Sequence, residues 1–152
     1  MLRMGINVSL GTDGAASNDN LDMIETMRIA AMLGKVSELN AQAVTAWDVL
    51  EMATIGGARA LGLDGEVGSI EAGKKADITI IDMDGVHVRP IHDVVNAIVY
   101  CSSSADVDTV VVDGKVVMRG RRILTVNEGE VLREALRLGG EVLREAGFKP
   151  IY

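Results

Sequence analysis

The sequence predicts an α/β protein: one buried strand, two helices, a meander of short strands, then a closing helix. Three observations carry this. Residues 6–10 form a short apolar run bounded by glycines that leads into Thr12-Asp13-Gly14, the pattern of a strand buried in a parallel sheet. After Gly62 turn signals become frequent and the apolar runs become short and β-branched, which suits part of a β-sandwich or barrel. Residues 128–145 place apolar side chains at helical spacing with Arg and Glu between them.

Taken in order, Met1 to Gly5 reads as the end of a helix running into strand 6–10, with no apolar segment or cleavage site of a signal peptide. A polar loop, 15–20, follows, in which Ser17, Asn18, Asp19 and Asn20 are all good helix N-caps. A helix then runs to about Leu33. Leu21, Ile24, Met27 and Ala31 recur at helical spacing, and Gly34 is its stop. Thr45 and Asp48 make a capping pair close to the Thr-x-x-Glu box and start a second helix. Trp47, Val49, Leu50, Met52 and Ala53 give that helix its apolar surface, and it ends near Leu61-Gly62. Gly56 and Gly57 weaken its interior by about 1 kcal/mol each relative to Ala, which points to close packing against another backbone.

Residues 67–70 read as a short strand, 71–75 as a turn, 76–82 as a strong strand and Asp84-Gly85 as a turn. Residues 94–100 fit a strand or a buried helix equally well. The runs 107–112 and 116–118 flank Asp113-Gly114-Lys115, a strong hairpin signal. In the last helix Val131, Leu132, Leu136 and Leu143 are expected to face inward, with Gly139-Gly140 interrupting it.

Composition narrows the function classes. The chain has 152 residues, enough for a sizeable core, but too few for a full (β/α)₈ barrel of ~250 residues. Aromatics are only 3 %, so Val, Ile, Leu, Met and Ala must fill the core, and the eight methionines read as packing filler. The net charge of −7 comes with no basic stripe, which argues against a nucleic-acid groove. Arg119, Arg121 and Arg122 read as a solvated turn. No stretch approaches the ~18 apolar residues of a membrane span. One cysteine, Cys101, excludes an intrachain disulfide and suits a reduced, cytoplasmic setting; it reads as a small buried hydrophobe.

Asp13 is the candidate for chemistry. A carboxylate at the carboxyl end of a parallel strand faces a crevice or barrel mouth, where it can ligate a divalent metal or take a proton from a bound water. The same residue type also caps its own turn, and spacing alone leaves both roles open. His87 and His92 form no His-x-His pair and read as surface or turn residues. Ser102-Ser103-Ser104 has no nearby base, and Gly11-x-x-Gly14 lacks the third glycine of a dinucleotide fingerprint.

Three stretches and a continuation carry a family resemblance. Val8-Ser9-Leu10-Gly11-Thr12-Asp13-Gly14-Ala15-Ala16-Ser17-Asn18 looks like an eighth barrel strand and its loop. Ala53-Thr54-x-Gly56-Gly57-Ala58-Arg59-Ala60-Leu61-Gly62 looks like the helix leading out of the barrel. Gly68-Ser69-Ile70-Glu71-Ala72-Gly73-Lys74-Lys75-Ala76-Asp77-Ile78 looks like the entry to a small composite β-sandwich, continued by Val110-Val111-Val112-Asp113-Gly114-Lys115-Val116-Val117. Together they resemble the C-terminal part of the amidohydrolase superfamily, in its subgroup of cytosine-, chlorotriazine- and adenosine-type deaminases.

The resemblance implies a C-terminal fragment of a (β/α)₈ metal-dependent hydrolase barrel plus part of a small composite β-sandwich. Residues 1–62 would be the last strand and helices of the barrel, 63–126 sandwich strands and 127–152 a C-terminal helix. Asp13 would ligate one divalent metal, zinc first and iron as the alternative, and take the proton of the hydrolytic water. The implied substrate is a purine nucleoside such as methylthioadenosine or S-adenosylhomocysteine, deaminated with release of ammonia. Nothing in the chain matches the family's His-x-His, its later histidines or its acid/base glutamate. The isolated chain is therefore expected to be inert, and to pair with a missing N-terminal half or with copies of itself across an exposed parallel edge. Two further readings stay open: half of a split enzyme or a non-catalytic interaction module, and another amidohydrolase such as a chlorohydrolase or guanine-type deaminase.

Overall fold

Asp22 sets the first long helix. Its side chain accepts from the Ile24 and Glu25 amides at the N-terminus of α2 (Met23–Ser37), so the helix starts beyond the run 17–20 that the sequence favoured. The computed structural model describes residues 1–149 of the chain. Ser17 and Asn18 instead belong to a single turn, α1 (Ala15–Asn18). Ile24, Met27 and Ala31 are buried as the spacing predicts, whereas Leu21 lies outside the helix and is exposed. Gly34 does not stop α2, which continues to a cap at Glu38. A Cβ on Gly34 would run into the Val44 side chain, so this glycine admits a neighbour rather than ending the helix.

Thr45 and Asp48 form the expected reciprocal cap of α3 (Ala46–Ala53): Asp48 Oδ2 accepts from the Thr45 amide at 2.7 Å, and Thr45 Oγ1 from the Asp48 amide at 3.2 Å. The helix then breaks at Thr54 (φ −121°, ψ −99°) and resumes as α4 (Ile55–Leu61), closed by Gly62 in the left-handed region. Gly56 confirms the close backbone packing read from the sequence: a Cβ there would lie 2.9 Å from the carbonyl oxygens of Val8 and Glu51.

Residues 6–10 are not paired as a strand among the described residues. Their polar groups are taken up by helix ends: the Leu10 amide donates to Met52 O at 3.1 Å, and Asn7 Nδ2 to Gly56 O at 3.0 Å. Among the described residues no strand runs beside them, and every paired strand is antiparallel. The expected parallel edge is therefore not found there.

The segment that fitted either state is a helix, α5 (Val94–Tyr100), started by Asp93. It packs on α2 and α3, and these three helices supply the core: Ile24, Met27, Ala31, Ala46, Val49, Met52, Val95 and Val99. Trp47, on the other face of α3, is exposed. Arg28 of α2 donates from Nε to Val99 O at 3.1 Å and from Nη2 to Ser102 O, capping α5 from its side. Lys35 Nζ donates to the Tyr100 hydroxyl at 2.5 Å. Cys101, just past α5, is exposed rather than buried, because the helix turns its neighbours Val99 and Ser102 inward instead.

The sheet runs in sequence order: β1 (Ile78–Ile81), β2 (Val107–Val112), β3 (Lys115–Arg119) and β4 (Arg122–Ile123). The β2–β3 hairpin turns at Asp113 (φ 48°) and Gly114 (φ 75°), both left-handed as a two-residue primed turn requires. Asp77 accepts the Asp113 amide at 2.6 Å and locks the turn to the start of β1. Gly120 and Arg121 make the next turn, which leaves the arginine cluster solvated.

Residues 67–69 form a bend and residue 70 is irregular, so this stretch is not a strand. Gly68 holds φ 93° and packs on Ile55 and Ala58, a conformation incompatible with a strand residue. The closing helix α6 (Glu128–Glu145) has the expected bounds and is capped by Asn127. Gly139 and Gly140 do not interrupt it; Arg137 pairs with Glu134 and Glu141 along the turns leading into them. Val131, Leu132 and Leu136 are exposed, not inward. Periodicity sets which residues share a face, but burial also needs an opposing apolar layer, and among the described residues none covers Val131, Leu132 and Leu136.

Candidate functional site

Asp13 sits at the tip of the loop joining the helix-bound segment 6–10 to α1, and it is exposed. Its φ of 60° is left-handed, which aspartate tolerates better than most residues because its short side chain bonds locally. Here Oδ1 accepts from the Gly14 amide at 2.7 Å, while among the described residues no donor reaches Oδ2. The turn role is thus met by one oxygen, and among the described residues the other accepts no hydrogen bond.

The loop is braced from within. Asn18 Nδ2 donates to Thr12 O at 2.7 Å and to Asn20 O at 2.9 Å. The Asn18 amide donates to Gly14 O at 3.0 Å. Asn20 in turn bonds the Glu25 carboxylate on α2. The sequence marks Asn18 as a helix cap; its reach back to Thr12 is a tertiary detail with no spacing signature.

Asp22 anchors the other end of this loop. It is buried, and besides capping α2 its Oδ2 accepts from the Ser104 amide at 3.0 Å. Burial is the largest single influence on its carboxyl and pushes it up. The donors of Glu25, Ser104 and Ile24 together outweigh burial and hold the carboxyl below its ordinary value. Asp106, buried in the 3₁₀ turn Ser104–Asp106, is also held low, first by the His87 ring and then, against burial, by the Ser103 amide and hydroxyl. His87 Nε2 lies 3.0 Å from Asp106 Oδ2. His87 is thus committed to a structural carboxylate, and His92 is exposed.

Two carboxyls with folded values below their unfolded ones stabilise the chain above about pH 4, and that contribution is lost as pH falls through the folded values. Asp22→Asn keeps an acceptor for the Ile24 and Glu25 amides but loses the one for Ser104; it is expected to cost about 1 kcal/mol at pH 7, the usual net worth of one hydrogen bond, and to flatten the loss of thermal stability between pH 5 and 3. Parallel melting curves for the two proteins across that range would contradict this assignment.

Ser102 is fully buried, with Oγ directed at Ala97 O, and Ser103 caps the 3₁₀ turn, so neither is a nucleophile. A cavity of about 890 Å³ lies between α2, α4 and the sheet, lined largely by apolar side chains such as Leu50, Leu61, Ile81 and Val110; Asp13 is not among its lining residues. The described residues contain no group of three His, Cys, Asp or Glu that could hold a metal ion. Asp13 therefore does not make a metal site with the described residues alone. No described helix is long and apolar enough to cross a membrane.

The sequence profile of the amidohydrolase family matches residues 1–117, and the chain belongs to that family. Among particular relatives, it is 53 % identical over 137 residues to a 5-methylthioadenosine/S-adenosylhomocysteine deaminase of Desulforudis audaxviator, covering 90 % of this chain and 32 % of the relative. It is 47 % identical over 146 residues to a 5′-deoxyadenosine deaminase of Methanosarcina acetivorans, covering 96 % and 33 %. The crystal structure of an adenosine deaminase from Xanthomonas campestris with bound zinc superposes with a TM-score of 0.91 at 35 % identity, covering 95 % of this chain and 33 % of that one. The chain thus spans about a third of the length of the relatives it matches.

Proposed function

We propose that the chain is the C-terminal part of a metal-dependent deaminase of 5′-modified adenosines, methylthioadenosine and S-adenosylhomocysteine foremost. The observation that carries this is Asp13: an exposed carboxylate with one oxygen tied to its own turn and one open, in a chain about half identical to deaminases of that class. A divalent metal, zinc first and iron as the alternative, would supply Lewis-acid activation of water. Asp13 would ligate it through Oδ2, and its carboxylate would accept the proton released as water adds to the ring carbon bearing the amino group. That proton would pass to the amino group as its bond to the ring carbon breaks, and the group would leave as ammonia. The remaining ligands would come from outside this chain.

The division of the chain belongs to the same proposal. Residues 1–62 would complete the barrel, 63–126 the sandwich and 127–152 the terminal helix, with α5 returning from the middle segment to pack on α2 and α3. Self-association, or pairing with the remaining two thirds of the enzyme, would cover the apolar faces left open, in the cytoplasm.

The test is a graft. The 152-residue chain replaces the matched segment of the Desulforudis relative, and ammonia release from methylthioadenosine is followed with zinc present. The graft is expected to turn over, and the chain alone to be inert. Turnover by the purified chain alone, or a folded graft with zinc bound and no turnover on any adenosine nucleoside, would overturn the reading.

A further inference from the structure

The left-handed conformation of Asp13 is set by its flanking peptides. Rotation about φ of Asp13 swings the Thr12–Asp13 peptide, whose carbonyl is Thr12 O; rotation about ψ swings the following peptide toward or away from Gly14. Asn18 holds the first of these peptides, while the Asp13 carbonyl of the second accepts from Thr12 Oγ1 at 3.2 Å. Asn18 Nδ2 holds Thr12 O at 2.7 Å, and its backbone amide holds Gly14 O, one peptide further on, at 3.0 Å. The second Nδ2 hydrogen reaches Asn20 O, and Asn20 is tied to Glu25 on α2. One side chain thus links the peptide before Asp13 to the N-terminal turn of a core helix.

We propose that Asn18 is the positioning residue of the Asp13 carboxylate, clamping Thr12 O so that the backbone of Asp13 stays left-handed and Oδ2 stays presented for the metal. This rests on the reading of Asp13 as a ligand. The chemistry required at position 18 is two N–H donors on a short planar group. Asp has the same shape and no donors, and would set a carboxylate against two carbonyl oxygens. Gln keeps the donors at the cost of one methylene.

Two measurements test it. In the 152-residue chain, Asp13 is expected to give the strong intraresidue amide–Hα cross-peak of a left-handed residue, kept in Asn18→Gln and lost in Asn18→Asp. In the graft, Asn18→Asp is expected to lower zinc affinity and kcat by about 10–100-fold, the range for residues that orient a metal ligand, with KM for methylthioadenosine within twofold. Asn18→Gln is expected to recover both to within tenfold of the parent. Asn18→Asp with the parent's cross-peak, zinc affinity and kcat, in a graft that Asp13→Ala abolishes, would overturn the role of Asn18 and leave Asp13 standing. A graft indifferent to Asp13→Ala would remove the underlying reading itself.

Discussion

Asp13→Asn in the grafted enzyme is expected to lower kcat for methylthioadenosine by roughly 10²–10⁴-fold, the contribution of a positioned general base. Asparagine keeps the shape of the side chain, and its carbonyl oxygen can still accept the Gly14 amide, so the turn should survive. It cannot carry the negative charge a divalent metal favours, and it cannot take a proton at neutral pH. The far-ultraviolet spectrum and melting point should match the parent, because Asp13 is exposed and contacts only its own loop. Asp13→Ala should be no less impaired. An Asn variant keeping more than a tenth of the parent rate would exclude Asp13 as the proton acceptor.

The largest effect on stability is expected at Gly68. Gly68→Ala should cost about 3 kcal/mol, as two penalties add. The residue holds φ 93°, where an L side chain costs about 1–2 kcal/mol. The new Cβ would also lie 2.7 Å from Ala58 Cβ and 2.9 Å from Ile55 Cα, and overpacking of that kind costs about 1–3 kcal/mol. Gly73 provides the control. Its φ is 94° with nothing within 4 Å of an added Cβ, so Gly73→Ala should show the backbone penalty alone. Urea titration of the two variants decides it. Equal losses would mean that the contact of the 67–69 bend with α4 carries no weight.

What the sequence disclosed divides along the range of the interactions involved. The Asp113-Gly114 hairpin, the Thr45-Asp48 cap and the bounds of α6 are local devices, and each was readable from a few adjacent residues. Residues 6–10 read as a strand, but a strand is defined by its neighbours, and among the described residues none runs beside them; the Leu10 amide bonds the end of α3 instead. Gly34 was misread for the same reason: its partner is Val44, ten positions away. At the candidate site Asp13 was legible, since a carboxylate before glycine after an apolar run is a pattern in one dimension. The contacts of Asn18 with Thr12 and of Asp22 with Ser104 were not, because they depend on a fold that returns the chain to itself.

The ties between α2 and α5 bear on how this molecule breathes. At seven residues α5 is too short to persist as an isolated helix. Arg28 holds the Val99 carbonyl, Lys35 holds Tyr100, and Asp22 holds the turn that follows. All three tethers root in α2 or its cap, so α5 cannot fray without loosening them. The two helices should therefore open as one cooperative unit, with their slowest-exchanging amide protons sharing a single opening free energy.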